Sequence, residues 1–166
     1  LHTNATLLGE EKAAGIINSG LDFISFSFDG YDKETYEDIR RGANFEKTLA
    51  NIIGFLKLKQ SMKSRHPFTA FTIIEFPAKG VSGAVKKEFL SRFQSLPLDA
   101  IRIRKAHNWG GSYNALAGRK CPGFIPCTFL WYALTIFWDG TVVPCPQDFF
   151  GRLKLGNVKD SSLLGL

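Results

Sequence analysis

Apolar strands and amphipathic helices alternate along this chain as far as residue 105, and this order limits the folds that it can form. In chain order the sequence predicts a strand end and loop over 1–8, a helix over 9–18, a strand over 21–29, a helix over 32–41, a longer helix from Phe45, a strand over 68–76, a helix over 83–94 and a strand over 99–105. Strands that alternate with helices in this way are typical of parallel sheets with crossover helices. We therefore expect an α/β fold.

Polar and apolar residues alternate strictly in the strand LDFISFSFD, residues 21–29. The apolar set is Ile24, Phe26 and Phe28, and the polar set is Ser25, Ser27 and Asp29. In a parallel barrel the apolar face packs on helices, so the polar set would point into the lumen or its mouth, where it suits a ligand. The alternative is an antiparallel strand whose polar face meets water.

Two arginines alternate with isoleucines in the strand over 99–105. By the same logic Arg102 and Arg104 would face the lumen, where their planar guanidinium groups suit a substrate carboxylate or phosphate. An edge strand with solvated arginines is the equal alternative. The Gly- and Asn-rich loop that begins at His107 places a domain boundary after residue 110.

Two cysteines enclose an apolar segment further along the chain. From Cys127 to Asp148 the sequence predicts a β-hairpin that brings Cys127 and Cys145 together at its open end. Its predicted parts are a strand over 129–138, a type I′ turn at Asp139-Gly140 and a strand over 141–143. Three interpretations stay open for this pair: iron–sulfur ligands, a zinc site, or thiols that are merely buried.

The cysteine count, the absence of a signal-peptide pattern and the charge distribution indicate the cellular compartment and the class of partner. The three cysteines are an odd number and no signal-peptide pattern opens the chain, so we expect a reducing cytoplasmic compartment. The uncharged segment 121–138 is interrupted by two prolines and a glycine, which excludes a membrane span there. The net charge of +6 comes from scattered basic residues, so nucleic-acid binding is not expected.

Several stretches together resemble the radical S-adenosylmethionine (SAM) enzymes that carry a C-terminal SPASM or twitch auxiliary-cluster domain. They are Thr3-Asn4, Ser27–Gly30 followed by Tyr36, Ile39-Arg40 and Asn44-Phe45, the region from Ile101 to Gly110, and Cys127 to Asn157 with Gly140 between its cysteines. The resemblance covers nearly the whole chain. It implies that residues 1–110 are the second half of a partial (βα)6 TIM-type barrel and that residues 111–166 begin the SPASM segment.

The resemblance also implies roles for individual residues. The SAM-binding set would be Asn4, Ser27, Asp29, Arg40, His107 and Trp109, and the ligands of an auxiliary 4Fe–4S cluster would be Cys127, Cys145 and Cys121. Asp148 would be a catalytic base or substrate contact, with a turn-capping carboxylate as the equal alternative. His107 has a plain alternative too, as a loop imidazole that bonds to the backbone.

For the intact parent enzyme the resemblance implies cleavage of SAM to a 5′-deoxyadenosyl radical that oxidises or modifies a small-molecule or peptide substrate. A reductant such as flavodoxin or ferredoxin would supply the electron. The family holds its SAM-cleaving cluster on a Cys-x3-Cys-x2-Cys loop, which this sequence lacks. We therefore expect this chain to be a fragment that is inactive by itself.

A different class of function stays open beside this one. In a non-catalytic α/β module with a zinc-binding hairpin, Cys121, Cys127, Cys145 and His107 would supply the four N or S ligands that zinc requires. A nucleotide-binding domain is disfavoured, because neither G-x-G-x-x-G nor G-x4-G-K-S/T follows a strand.

Overall fold

The chain divides into two compact units, Leu1–Ala106 and His107–Leu166. The computed structural model describes residues 1–76, 80–106 and 128–165. The expected domain boundary after residue 110 lies outside the described residues, as do His107, Trp109, Cys121 and Cys127.

The first unit has the predicted alternation of strands and helices. Its elements are β1 (His2–Thr3), α1 (Glu10–Asn18), β2 (Phe23–Ser27), α2 (Lys33–Ile39), α3 (Phe45–Ser61), β3 (Phe68–Glu75), α4 (Gly83–Ser91) and β4 (Ala100–Lys105). Three of the four helices begin at a polar side chain that accepts a hydrogen bond from the first turn: Asp32 from Thr35 N, Asn44 from Lys47 N and Ser82 from Val85 N. The helix over 83–94 ends three residues earlier than predicted.

The four strands form one parallel sheet in the order β1-β2-β3-β4. This order excludes the antiparallel alternative for β2, because β2 runs parallel to both of its neighbours. Within the described residues the sheet is open, so the predicted TIM-type barrel is not confirmed. The observed architecture is a parallel α/β sheet.

The apolar face of β2 packs against the helices, as its alternation predicts. Phe26 and Phe28 are fully buried, and the Phe28 ring stacks on the Tyr36 ring of α2 with 4.2 Å between centroids. On α3, Ile52 and Phe55 are buried on the same side, and the rings of Phe26 and Phe55 meet at 5.3 Å. Aromatic packing therefore holds the helices onto this face of the sheet.

The second unit contains a small antiparallel sheet. Its described elements are α5 (Phe129–Tyr132), β5 (Thr135–Ile136), β6 (Thr141–Val143), β7 (Gly156–Asn157) and a 3₁₀ turn over Leu163–Gly165. The predicted strand over 129–138 is wrong over most of its length. Trp131 N and Ala133 N donate to the carbonyls of Thr128 and Phe129, which closes one helical turn and leaves β5 only two residues.

The hairpin turn also differs from the prediction. Phe137 N donates to Thr141 O over 2.8 Å, so three residues, Trp138, Asp139 and Gly140, lie in the loop in place of the two of a type I′ turn. Gly140 has φ +90°, where a side chain is strained, and a Cβ there would lie 2.6 Å from Asn157 Oδ1. The sequence therefore predicted the position of the turn correctly, at Asp139-Gly140, but the predicted type I′ turn is wrong.

No helix in the described parts of the chain is long and apolar enough to cross a membrane.

Candidate functional site

The register of the parallel sheet puts the predicted lumen residues on one face. Ser27 is the direct neighbour of Thr72, and Thr72 is the direct neighbour of Arg102. Direct neighbours in adjacent strands project to the same side of a sheet, and Arg104 follows two residues after Arg102. Ser27, Arg102 and Arg104 therefore share the face opposite the helices.

The residue types on this face differ from the amino-terminal to the carboxyl-terminal ends of the strands. At the amino-terminal end the rings of Phe23 and Phe68 stack with 6.0 Å between centroids, and His2 meets Phe23 edge-on at 5.8 Å. The next level contains small residues in register: Ser25, Ala70 and Ala100. Hydroxyls and arginines follow toward the carboxyl ends, which is the end where parallel sheets bind ligands.

The two arginines of β4 are not equivalent. The Arg102 guanidinium carbon lies 5.5 Å from the centroid of the Phe23 ring, a cation–π contact that turns it toward the aromatic end. Arg104, beside Ile74, lies closer to the carboxyl end. Both side chains are exposed, and β4 has a strand partner on one side only among the described residues. The structure is thus compatible with a substrate contact and with solvated arginines on an edge strand.

Asp29 connects three elements at the carboxyl end of β2. Its Oδ2 accepts a hydrogen bond from Arg40 Nη2 over 2.6 Å, and its Oδ1 accepts one from Ile74 N over 3.1 Å. Asp29 is buried, with 7% of its surface exposed. Both carboxylate oxygens are therefore used to attach the loop after α2 and the strand β3 to the end of β2.

Gly30 allows this arrangement because α2 approaches it closely. It has φ +153°, and a Cβ added there would lie 2.8 Å from Tyr36 N. In the described part of the chain, the Tyr36 hydroxyl and Arg40 Nε are buried and have no hydrogen-bond partner. The Ser-x-Asp-Gly segment is thus a structural junction with two unsatisfied polar atoms beside it.

Asn4 and Arg40, two residues of the predicted SAM-binding set, line the same cleft of about 540 Å³. Arg41, Lys47 and other residues around the start of α3 line it as well, together with Thr6 and Leu7, and no carboxylate is among its lining residues. Asn4 Oδ1 accepts hydrogen bonds from the backbone N and the hydroxyl of Thr6. The structure brings Asn4 and Arg40 together, whereas Ser27 lies on the sheet face outside this cleft.

Sequence reasoning missed a polar cluster at the end of β3. Glu75 Oε1 accepts hydrogen bonds from Lys86 Nζ and from the Tyr31 hydroxyl, both over 2.7 Å. The bond from Lys86, and then that from Tyr31, lower the pKa of Glu75, while burial and the bond to Glu75 raise the pKa of Tyr31. These residues lie far apart in sequence, so no local pattern identifies the cluster.

A second such cluster lies at the opposite end of the sheet. Lys59 is almost fully buried, and its Nζ donates to Asp99 Oδ2 over 3.0 Å and to Thr69 Oγ1 over 3.5 Å. Burial works against ionisation of Asp99, but the hydrogen bonds from Thr69 and Lys59 outweigh it and lower its pKa. This cluster attaches α3 to the starts of β3 and β4.

Cys145 is the predicted metal ligand that the structure describes. It follows β6 in the sequence Val143-Pro144-Cys145-Pro146-Gln147, is half-buried and is a free thiol. Its Sγ accepts a hydrogen bond from Gln147 N over 3.4 Å. A backbone amide that points at a cysteine sulfur is an arrangement that stabilises a thiolate ligand.

The Asp148 side chain bonds to the backbone of the loop that follows Cys145. Its Oδ1 accepts from Arg152 N over 2.9 Å and its Oδ2 from Leu153 N over 2.7 Å. The bonds from Leu153 and Arg152 lower the pKa of Asp148. This geometry supports the loop-capping alternative. The catalytic role of Asp148 remains a prediction.

An iron–sulfur cluster needs several cysteine thiolates close together. Among the described residues no group of three His, Cys, Asp or Glu side chains is close enough to hold a metal. Cys145 suits such a cluster because it is a free sulfur with an amide donor. Cys127, its predicted partner, directly precedes the described segment 128–165.

Comparison with known proteins identifies this segment. Residues 127–166 match the family model of SPASM, an iron–sulfur cluster-binding domain, and the matched range begins at Cys127. This match confirms the SPASM part of the resemblance. SPASM domains are associated with radical SAM enzymes, which are in general oxidoreductases. Neither a curated protein nor a solved structure matches the chain.

Proposed function

We propose that this chain is part of a radical SAM enzyme, in which the parallel α/β unit binds SAM and substrate and the second unit binds an auxiliary 4Fe–4S cluster. The observation that carries the proposal is the SPASM match over residues 127–166, in a chain whose residues 1–106 form a unit with a parallel sheet. The parent enzyme would reductively cleave SAM and oxidise or modify a small-molecule or peptide substrate in the cytoplasm, with flavodoxin or ferredoxin as electron donor.

In this proposal Cys127 and Cys145 hold the auxiliary cluster, with Cys121 as a third thiolate. The cluster would supply one-electron chemistry. The protein orients the sulfur ligands: β6 ends at Val143 just before Cys145, and Gln147 N donates to the Cys145 sulfur. Val142 and Val143 of β6 are fully buried, so the backbone just before Cys145 is held in place by packing.

The first unit would position SAM and substrate at the carboxyl ends of its strands. Ser27 and Asn4 would contact SAM, while Asp29 and Arg40 would act through the junction that they form. His107 and Trp109 stay predicted members of the SAM-binding set. Arg102 and Arg104 lie on the same face as Ser27 and would attract an anionic substrate group. Their charge favours a substrate that carries a carboxylate.

The first experiment is anaerobic reconstitution of the full chain with iron and sulfide, with dithiothreitol present to supply a missing thiolate. We expect a brown protein with bound iron and acid-labile sulfide, and we expect Cys145→Ala and Cys127→Ala to lose both. Ser161→Ala, at an exposed site in the same unit, is the matched control and should keep its cluster. Stable binding of colourless zinc, with no iron retained, would instead support the zinc-binding module.

A further inference from the structure

The loop that follows β1 contains Asn4 and has an unusual backbone conformation. Its next residue, Ala5, is buried and has φ +59°, in the left-handed region that residues with a side chain rarely adopt. Such a conformation persists only where the surrounding structure holds it, and residues of this kind concentrate at ligand sites. The loop therefore depends on contacts from another part of the fold.

The side chain of Asn51, in α3, makes these contacts. Its Nδ2 donates to Ala5 O over 2.9 Å and to Thr6 O over 3.3 Å, and both hydrogen bonds are partly buried. Asparagine is a poor helix former, so local preference does not explain its place in the interior of a long helix. One amide group of α3 thus holds two successive carbonyls of the loop.

The two carbonyls directly follow Asn4 in the chain. Asn4 Oδ1 accepts hydrogen bonds from Thr6 N over 3.2 Å and from the Thr6 hydroxyl over 3.0 Å. Because both bonds use the oxygen, a ligand of Asn4 would meet its amide nitrogen, which can only donate. By holding the Thr6 backbone, Asn51 therefore also holds the Asn4 amide in one orientation.

Asn51 does not itself line the cleft that contains Asn4 and Arg40. The residues that α3 contributes to this cleft are Lys47 and Thr48, in its first turn. Asn51 contacts the loop one turn further along the helix. It can therefore affect a ligand in the cleft only through the loop.

We infer that Asn51 is a positioning residue for SAM, which acts by holding Asn4 in the orientation that binds the ligand. The inference rests on the proposed function, in which Asn4 contacts SAM, and it adds a residue outside the predicted SAM-binding set. Removal of the Asn51 amide would let the loop leave its left-handed conformation, and Asn4 would then spend less time in the binding orientation.

The test is a double-mutant cycle on the full chain, with radiolabelled SAM in equilibrium dialysis. Asn51→Leu removes the donor at similar size and should raise the dissociation constant about tenfold. In the Asn4→Ala background the same change should raise it less than about twofold, because the side chain that Asn51 positions is already gone. A loss of stability alone would affect both backgrounds equally.

A matched control lies on the same helix. Gln60 Nε2 also donates to a backbone carbonyl, that of Ser95, over 3.3 Å. Gln60→Leu removes this donor and should leave the dissociation constant for SAM unchanged in both backgrounds. Far-UV circular dichroism shows whether each variant is folded, and Asn51→Ala, which removes the same donor, takes the place of Asn51→Leu in the cycle if the latter does not fold.

An unchanged dissociation constant in the Asn51 variant, or an equal rise in the presence and absence of Asn4, would overturn the inference while leaving the proposed SAM site in place. A folded native chain that does not bind SAM would overturn the proposed site and this inference with it. Binding by the native chain tells these two kinds of failure apart.

Discussion

Asp29 provides the sharpest test of how the first unit is held together, because its two oxygens bind two different partners. Asp29→Ala would leave the Ile74 N–H, which lies in a partly buried hydrogen bond, without its partner, at a cost of about 1–3 kcal/mol. It would also free the Arg40 guanidinium from its partner, which lies 2.6 Å away. Because 24% of the Arg40 side chain is exposed, water can partly replace the carboxylate as its partner. We therefore assign the loss of the Arg40–Asp29 ion pair about 1 kcal/mol.

The expected loss in the free energy of unfolding is therefore about 2–4 kcal/mol for Asp29→Ala. Asp29→Asn should lose about half as much, since an amide oxygen still accepts from Ile74 N. The matched control is Asp32→Ala, which removes the N-cap bond to Thr35 N and should cost about 1 kcal/mol. Asp32 lies three residues from Asp29, so both variants change the same loop.

The assay is urea unfolding of the full chain, followed by far-UV circular dichroism. The described helices of two turns or more all lie in the first unit, so this signal reports mainly on it. If Asp29→Ala costs no more than Asp32→Ala, the junction does not depend on Asp29. A carboxylate that serves only a ligand would give that result.

Two further predictions concern the same unit. Gly30→Ala should lower the free energy of unfolding by more than about 1 kcal/mol, because the φ of Gly30 is +153° and the new Cβ would lie 2.8 Å from Tyr36 N. In Gly54→Ala, within α3, the new Cβ meets no atom within 4 Å, so this change should stabilise the protein by about 0.5–1 kcal/mol. Equal shifts of the two variants in thermal melts would contradict this expectation. Asp99 has a lowered pKa in the folded protein, so its contribution is present above its unfolded pKa of about 3.9 and is lost as the pH falls through its folded value. The stability difference between the native chain and Asp99→Asn, measured by urea unfolding, should therefore be largest near neutral pH and shrink as the pH falls below the unfolded value. A difference that stays constant with pH would argue against the Lys59 pairing.

Local periodicity was enough to predict the order of helices and strands in the first unit and its parallel sheet, but not a closed barrel. The alternation in residues 21–29 identified β2 and its buried face, and the order of elements identified the parallel sheet. A hydrophobic pattern of this kind extends over several residues, so the prediction does not depend on any single position. The Cys-x12-Gly-x4-Cys spacing likewise pointed to the segment that matches SPASM.

Tertiary contacts explain what the sequence did not reveal. The run Phe129–Tyr132 is aromatic enough for a strand. Of the predicted strand 129–138, however, only Thr135 and Ile136 pair with β6, and the aromatic residues before them close a helical turn instead. Lys59 and Asp99 are separated by 40 residues, and their pairing depends on the sheet register. Asp29 had the features of a ligand residue because its partners, Arg40 and Ile74, are visible only in the fold.

The strands of the parallel sheet lie side by side in the same order in which they occur in the chain. A ribosome releases the chain from its amino end, so when β2 emerges its neighbour β1 is already outside, and the same holds for β3 and β4. None of these four described strands needs a later strand to be inserted between it and its neighbour. The sheet can grow during translation by one strand at a time, always at the edge that β4 finally occupies.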